Sequence, residues 1–293
     1  YNQGHFATLT PADTVRKDSL QTIGVLNNWL AKQRNVPGNP RKPKILFVLS
    51  SGGGTRSAYW TSYCVQKTDS LLAGRLWPQT AFITGASGGM LAMAYLRELY
   101  WEKQTINPQL NLYSQQYRRR VSRDLLNPII FDVAVNFFFP TKDFEDNANV
   151  YDADRGYAFE RQFVRNTYRF DTRRLGDYRN AELNATIPMM LLSPAVINDG
   201  RQLMISPLGV SYMALTRRFN PAYKSPFSAL DFRRLFIDHD PDSLLFTSAL
   251  RMNASFPYVL PFPELPTEPP TQVMDAGIYD HYGIHSIPRC PAY

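Results

Sequence analysis

Thr80-Ala-Phe-Ile-Thr-Gly-Ala-Ser-Gly-Gly-Met-Leu-Ala-Met-Ala94 is the stretch around which the chain is organised. Ala81, Phe82, Ile83 and Thr84 form a short apolar run rich in β-branched and aromatic side chains, the pattern of a buried strand. Good helix formers follow from Met90 to Tyr100 and predict a helix. Between them, Gly85-Ala-Ser-Gly-Gly89 fits Gly-x-Ser-x-Gly. A strand that turns directly into a helix must bend sharply, so the central residue takes a strained backbone and its hydroxyl projects from the apex. There Ser87 meets the positive end of the following helix, where negative charge developing in acyl transfer is favoured. Any glycine-rich turn can carry a serine, so it is the strand-turn-helix context that gives the pattern its force.

Working outward, Lys44-Ile-Leu-Phe-Val-Leu-Ser50 is a continuous apolar run, as expected of a central parallel strand covered on both faces. It leads into Ser51-Gly-Gly-Gly-Thr-Arg56 and then into a helix expected over Ser57–Leu72. Gly52, Gly53 and Gly54 at such a junction allow successive backbone N–H groups to converge on one point, an anion-binding nest at a helix N-terminus. A nucleotide-phosphate loop would end in Gly-Lys-Ser/Thr or read Gly-x-Gly-x-x-Gly, and neither is present. An oxyanion hole for Ser87, about one βαβ unit downstream, is the better reading. Far along the chain, Thr271-Gln-Val-Met-Asp275-Ala-Gly277 takes another strand into a loop of small residues. If Asp275 meets Ser87, its carboxylate can take the hydroxyl proton directly. An isolated Asp-x-Gly is far more often a turn.

The remaining segments frame this site. Thr10-Pro-Ala-Asp13 reads as a helix start, with Val15, Ser19, Ile23, Leu26 and Leu30 at helical spacing and Trp29 beside them. The Pro- and Gly-rich basic stretch 35–43 closes this arm, so residues 1–43 are expected to form an N-terminal arm and linker and 44–293 the main domain. Helices are expected over Leu110–Leu126, Ala158–Tyr168 and from Asp240 to Asn253, and strands over Ile187–Leu192 and Gln202–Ser206, on either side of the turn Asn198-Asp-Gly200. Phe137-Phe-Phe139 suits a core, or less readily a lid or interfacial anchor.

Composition limits the function classes. The 32 Lys and Arg outnumber 25 Asp and Glu, a balance that favours anionic partners such as a phospholipid surface or nucleic acid. The arginine groups, from Arg118-Arg-Arg120 to Arg233-Arg234, come without a recognition helix, zinc spacing or RNA-binding signature, so nucleic acid is not expected. Cys64 and Cys290 build no disulfide framework, and Cys64 reads as a buried core residue. Only four histidines occur (His5, His239, His281 and His285), without ligand spacing, so chemistry without metal or cofactor is expected. The longest apolar stretch, 128–140, contains Asp132 and Asn136 and is too short to span a bilayer. A cytoplasmic or peripheral-membrane location is expected, and an opening at Tyr1 without methionine suggests an excised segment whose targeting elements lie elsewhere.

Taken together, Ser51-Gly-Gly-Gly-Thr-Arg56, Gly85-Ala-Ser-Gly-Gly89 and Asp275-Ala-Gly277 resemble the patatin-like phospholipases, and the first also resembles the catalytic domain of cytosolic phospholipase A2. The likeness covers about residues 44–283 and includes Asn253-Ala-Ser-Phe-Pro257, similar to a stretch before the family's aspartate. It implies a three-layer α/β/α fold with a mostly parallel central sheet and a nucleophile elbow. It further implies a lipid acyl hydrolase working through a Ser–Asp dyad and an acyl-enzyme: Ser87 as nucleophile, Asp275 as base, Gly52–Gly54 as oxyanion loop and Arg56 against the head-group phosphate. Lipid substrate and peripheral membrane contact follow. His281 stands where the family usually has asparagine, and the stretch Ile284–Tyr293 ends abruptly where relatives commonly continue, so a truncated C-terminal end is expected. Two other readings remain open: an α/β-hydrolase triad using His281 or His285, and a phosphate- or lipid-binding module that breaks no bond.

Overall fold

The computed structural model describes residues 12–35, 43–127, 143–146, 149–152, 154–220, 225–227, 229–257 and 259–285. Its six longer helices are α1 (Ala12–Arg34), α2 (Gly54–Leu71), α3 (Ser87–Thr105), α4 (Gln115–Val121), α5 (Arg155–Thr167) and α6 (Phe246–Ala254). Its main strands are β1 (Leu46–Ser50), β2 (Thr80–Gly85), β3 (Met189–Met190), β4 (Ala195–Val196), β5 (Gln202–Met204), β6 (Ala229–Asp231), β7 (Glu264–Leu265) and β8 (Thr271–Met274). Two further hairpins, Asp143–Asp146 with Asn149–Asp152 and Leu215–Asn220 with Ser225–Phe227, stand apart from these sheets. The fold is mixed α/β.

β1, β2 and β3 form a parallel sheet in that order, and β6-β5-β4-β8-β7 form a mixed one. The two share the segment 189–196. β2 pairs with its first half, Phe82 opposite Met189 and Ile83 opposite Met190. β8 pairs antiparallel with its second half, Val273 opposite Val196 and Met274 opposite Ala195. β5 and the residue after it take the other edge of the second half, through the Leu192–Ile205 bridge and the Ala195–Gln202 pair. β2 and β8 therefore run along the same edge toward each other, and their C-terminal ends converge beside Ser193. That convergence brings together segments far apart in sequence.

β1 is not a central strand. It lies at the edge of the three-stranded sheet, and Leu46–Leu49 are only half-buried, because β2 is its one partner among the described residues. β2 is buried along its whole length and α3 through Tyr100. Arg97 of α3 is buried with Glu182, joined at 2.5 Å, and stacks over the Tyr178 ring at 4.6 Å. Burial pushes the Glu182 carboxyl up to about 7 despite the guanidinium.

Several expected elements shift. The helix expected over Leu110–Leu126 shrinks to α4, capped by Ser114, whose hydroxyl accepts the Gln116 N–H. The helix expected from Asp240 is a 3-10 turn over Pro241–Ser243, followed separately by α6. The turn at Asn198–Gly200 exists, but its leading strand is β4 rather than 187–192. α1 forms, but of the stripe read from Val15 to Leu30 only Leu26 is fully buried, with Trp29 beside it; the rest of the buried face is Asp18, Thr22, Val25 and Gln33. The reason is polar: the Asp18 carboxylate accepts from Arg234, the Thr22 hydroxyl meets Tyr212 Oη, and Gln33 Nε2 donates to the Pro78 carbonyl. Cys64 is half-buried, and burial raises its thiol pKa. The Thr10 cap, the 36–42 linker, Phe137–Phe139, His5 and Cys290 lie outside the described residues. No helix among the described residues is long and apolar enough to cross a membrane.

Candidate active site

The turn from β2 to α3 is built as its glycines require. Ser87 has φ +51°, a left-handed conformation that costs a serine about 1–3 kcal/mol and persists only where its surroundings impose it. Gly88 is what allows the close approach: a Cβ there would stand 1.9 Å from the Gly54 carbonyl oxygen. The glycine loop and the elbow are thus pressed backbone to backbone, and Ser87 opens the first turn of α3.

Asp275 follows the last residue of β8 and is 2% exposed. Its backbone N–H donates to the Ser255 carbonyl at 3.0 Å, and its Oδ1 accepts the Gly277 N–H at 2.7 Å. Oδ2 is buried and has no hydrogen-bond partner among the described residues. Burial raises the Asp275 pKa above the ordinary aspartate value, opposed by the nearby Ser87 hydroxyl, the Gly277 N–H and His281. The hydroxyl is near enough to act on the carboxylate but not aligned in a hydrogen bond, an open geometry common in sites without substrate.

Asn253 fills the gap between the converging strand ends, and sequence reasoning gave it no role of its own. Fully buried, it accepts the Ser193 N–H at 2.8 Å through Oδ1 and donates through Nδ2 to the Gly85 carbonyl at 3.3 Å. Its own carbonyl accepts the Ala276 N–H at 3.3 Å. One side chain thereby ties the elbow strand to the segment shared with β8, and its backbone ties the same point to the loop carrying Asp275. The signal available in sequence was an amide set between the apolar Met252 and Ala254 at the end of a helix.

The glycine loop is only partly as expected. The Gly52 N–H donates to the His281 carbonyl at 3.2 Å and is thereby occupied. Gly53 and Gly54, at φ +130° and +60°, have amides without an acceptor among the described residues. The His281 ring packs over this loop: a Cβ on Gly52 would meet its Cε1 at 2.9 Å and the Ser87 Cβ at 3.4 Å. His281 is otherwise exposed and makes no side-chain hydrogen bond to Ser87 or Asp275 among the described residues. His285 lies apart, its backbone N–H on Asp280 and its ring edge-on to Tyr279.

Ser87, Asp275, Gly52–Gly54 and His281 line one cavity of about 410 Å3, in the range of small-ligand pockets. Its far wall is apolar, with Leu91, Val121, Leu125, Phe159 and Leu260 among its side chains. Leu126, Phe256 and Ile278 line it as well and are about half exposed. Arg56 does not line it; it stands exposed on the first turn of α2, one residue beyond Thr55, which does. A larger cavity, about 620 Å3 and mixed in charge, lies between α5 and α6 and does not reach Ser87. No cluster of three His, Cys, Asp or Glu side chains fit to hold a metal occurs among the described residues.

Compared with protein-family models, with curated proteins and with solved structures, the chain matches none.

Proposed function

We propose that this chain is a lipid acyl hydrolase of the patatin-like type, cleaving carboxylic esters through a Ser87–Asp275 dyad. The observation that carries the reading is a strained serine, at a helix N-terminus and at the edge of an apolar cavity, beside a buried carboxylate with one unpartnered oxygen. The Ser87 hydroxyl attacks the ester carbonyl carbon and its proton passes to Asp275 Oδ2. The carbonyl oxygen becomes an oxyanion held by the Gly53 and Gly54 N–H groups, whose removal one at a time typically costs roughly 3–4 kcal/mol. As the tetrahedral intermediate collapses, the protonated Asp275 gives its proton to the departing alkoxide, leaving an acyl-Ser87. Water then attacks the acyl-enzyme, Asp275 taking its proton and passing it to Ser87 Oγ as the second tetrahedral intermediate collapses, which releases the fatty acid and restores the serine hydroxyl. An aspartate of ordinary pKa, about 3.9, is a weak base for this task, and burial moves Asp275 in the useful direction.

The apolar wall suits an acyl chain. The exposed Arg56 guanidinium suits a phosphate outside the mouth, where a head group rather than the scissile ester would sit. The triad reading gains one observation, the His281 ring against the glycine loop, but His281 is otherwise exposed, whereas Asp275 is buried beside the hydroxyl with an unpartnered oxygen, so the dyad is preferred. The test is fatty-acid release from a mixed-lipid panel by the native chain, Ser87→Ala and Asp275→Asn. Loss of release in both folded variants supports the reading, and release unchanged in Ser87→Ala contradicts it.

A further inference from the structure

Arg56 apart, the outer face of α2 has no place in the chemistry above, and it is unusual. Arg56, Tyr59, Trp60, Tyr63 and Lys67 follow one another at helical spacing, opposite the buried Ala58, Ser62, Val65 and Asp69. Trp60 is 63% exposed, whereas Trp29 and Trp77 are buried and Trp101 is half-buried. Trp60 stacks on Tyr63 with centroids 5.7 Å apart, and Arg118 of α4 lies over the Tyr63 ring at 5.3 Å. The aromatic stripe is therefore held in place by its neighbours. No Asp or Glu occurs between Gly54 and Thr68. Arg56 and Lys67 on α2 are exposed and enter no ion pair among the described residues.

We propose that this face of α2 docks the protein on an anionic lipid surface, with Trp60 and Tyr59 at head-group depth and Arg56 and Lys67 against the phosphates. Amphipathic aromatic rings favour that boundary, and each Lys or Arg near it strengthens the attraction to anionic head groups. An acidic protein or a nucleic acid would also meet the charge. A lipid surface is favoured by continuity with the site: α2 begins at the Gly53–Gly54 amides, and its Thr55 and Ala58 line the apolar cavity. Docking along α2 brings that cavity's glycine loop next to the lipids. The proposal rests on the hydrolase reading for this orientation alone, since binding is measured without turnover.

The experiment uses the Ser87→Ala chain, so vesicles stay intact, with phosphatidylcholine vesicles containing or lacking phosphatidylserine. Co-sedimentation is expected only with phosphatidylserine, accompanied by a blue shift of tryptophan emission. Adding Trp60→Ala should weaken partitioning roughly tenfold and abolish the shift. Adding Lys67→Glu should weaken it at least about fivefold. Both positions are exposed, and far-ultraviolet circular dichroism checks that the fold is kept. The proposal is overturned if the vesicles are not bound, if both variants bind as well as the parent, or if emission does not shift on binding. It is overturned equally if single-stranded DNA or polyglutamate competes the chain off at a concentration where the vesicles do not retain it. Fluorophosphonate labelling of the native Ser87 is a separate readout, so failure of docking and failure of the hydrolase reading are distinguishable.

Discussion

Two buried carboxylates, Asp275 at the strand convergence and Asp18 on the N-terminal helix, make opposite use of burial. Both are under 5% exposed. Asp18 is saturated: Ser211 Oγ donates to Oδ2 at 2.5 Å, and Arg234 donates to Oδ1 at 2.6 Å and to Oδ2 at 3.3 Å. Asp275 has one oxygen bound by the Gly277 N–H and the other unpartnered among the described residues. A buried charge whose lone pairs are all matched is a fastener. One left part-matched beside a hydroxyl costs stability and keeps a basic site available. Burial alone therefore does not tell the two carboxylates apart; unmet hydrogen-bonding capacity beside a hydroxyl does.

The contrast breaks most visibly in substitutions. Ser87→Ala and Asp275→Asn should each lower kcat/KM on a fatty-acyl ester by at least about a thousandfold, roughly 4 kcal/mol of barrier, without lowering Tm. Asp18→Ala should do the reverse. It leaves Arg234 and Ser211 without their partner and should cost about 3 kcal/mol of folding stability in denaturant titration, with kcat retained while the chain is folded.

pH separates the two regions further. Asp231, beside Asp18, is pushed up to about 6 by burial and then by the Asp18 charge. Its folded pKa exceeds the unfolded value, so its stabilising contribution is complete below about pH 4 and is lost as pH rises through 6. Asp231→Asn should flatten that part of the Tm profile. Asp275 is also raised, but it must be ionised to act, so the acid limb of kcat/KM should fall above the pH expected of an ordinary aspartate.

Smaller effects sharpen the comparison. His281→Ala should retain at least about a tenth of native kcat/KM, a barrier change of no more than ~1.4 kcal/mol, whereas the triad reading expects a loss of several orders of magnitude. Ser87→Gly should be inactive yet more stable by about 1 kcal/mol, because glycine relieves the φ +51° strain that serine bears. Urea midpoints of the native and variant chains measure that difference.

The parts of this molecule legible in sequence were those written locally. The apolar run of β2, the glycine turn and α3 lie in one continuous stretch, and so do β8 and Asp275. What brings them together was not local. The convergence depends on the segment 189–196, whose strand pieces are two residues long and carry little pattern, and on Asn253, which acts through partners 60 and 168 residues away. α1 was misread by rotation because its docking face is set by Asp18, Thr22 and Gln33, and a periodicity argument counts only apolar positions. The His281 carbonyl on Gly52 was likewise invisible, since backbone partners leave no trace in side-chain type.

The account turns on Ser87 being a nucleophile activated by Asp275, and active-site labelling tests that most directly. The native chain is incubated with a fluorophosphonate, and the adduct is located by peptide mass mapping. The account predicts one stoichiometric adduct on Ser87 in the native chain, and at most trace labelling in Asp275→Asn. A folded native chain left unlabelled, an adduct on another residue, or labelling of Asp275→Asn at the native rate would contradict it.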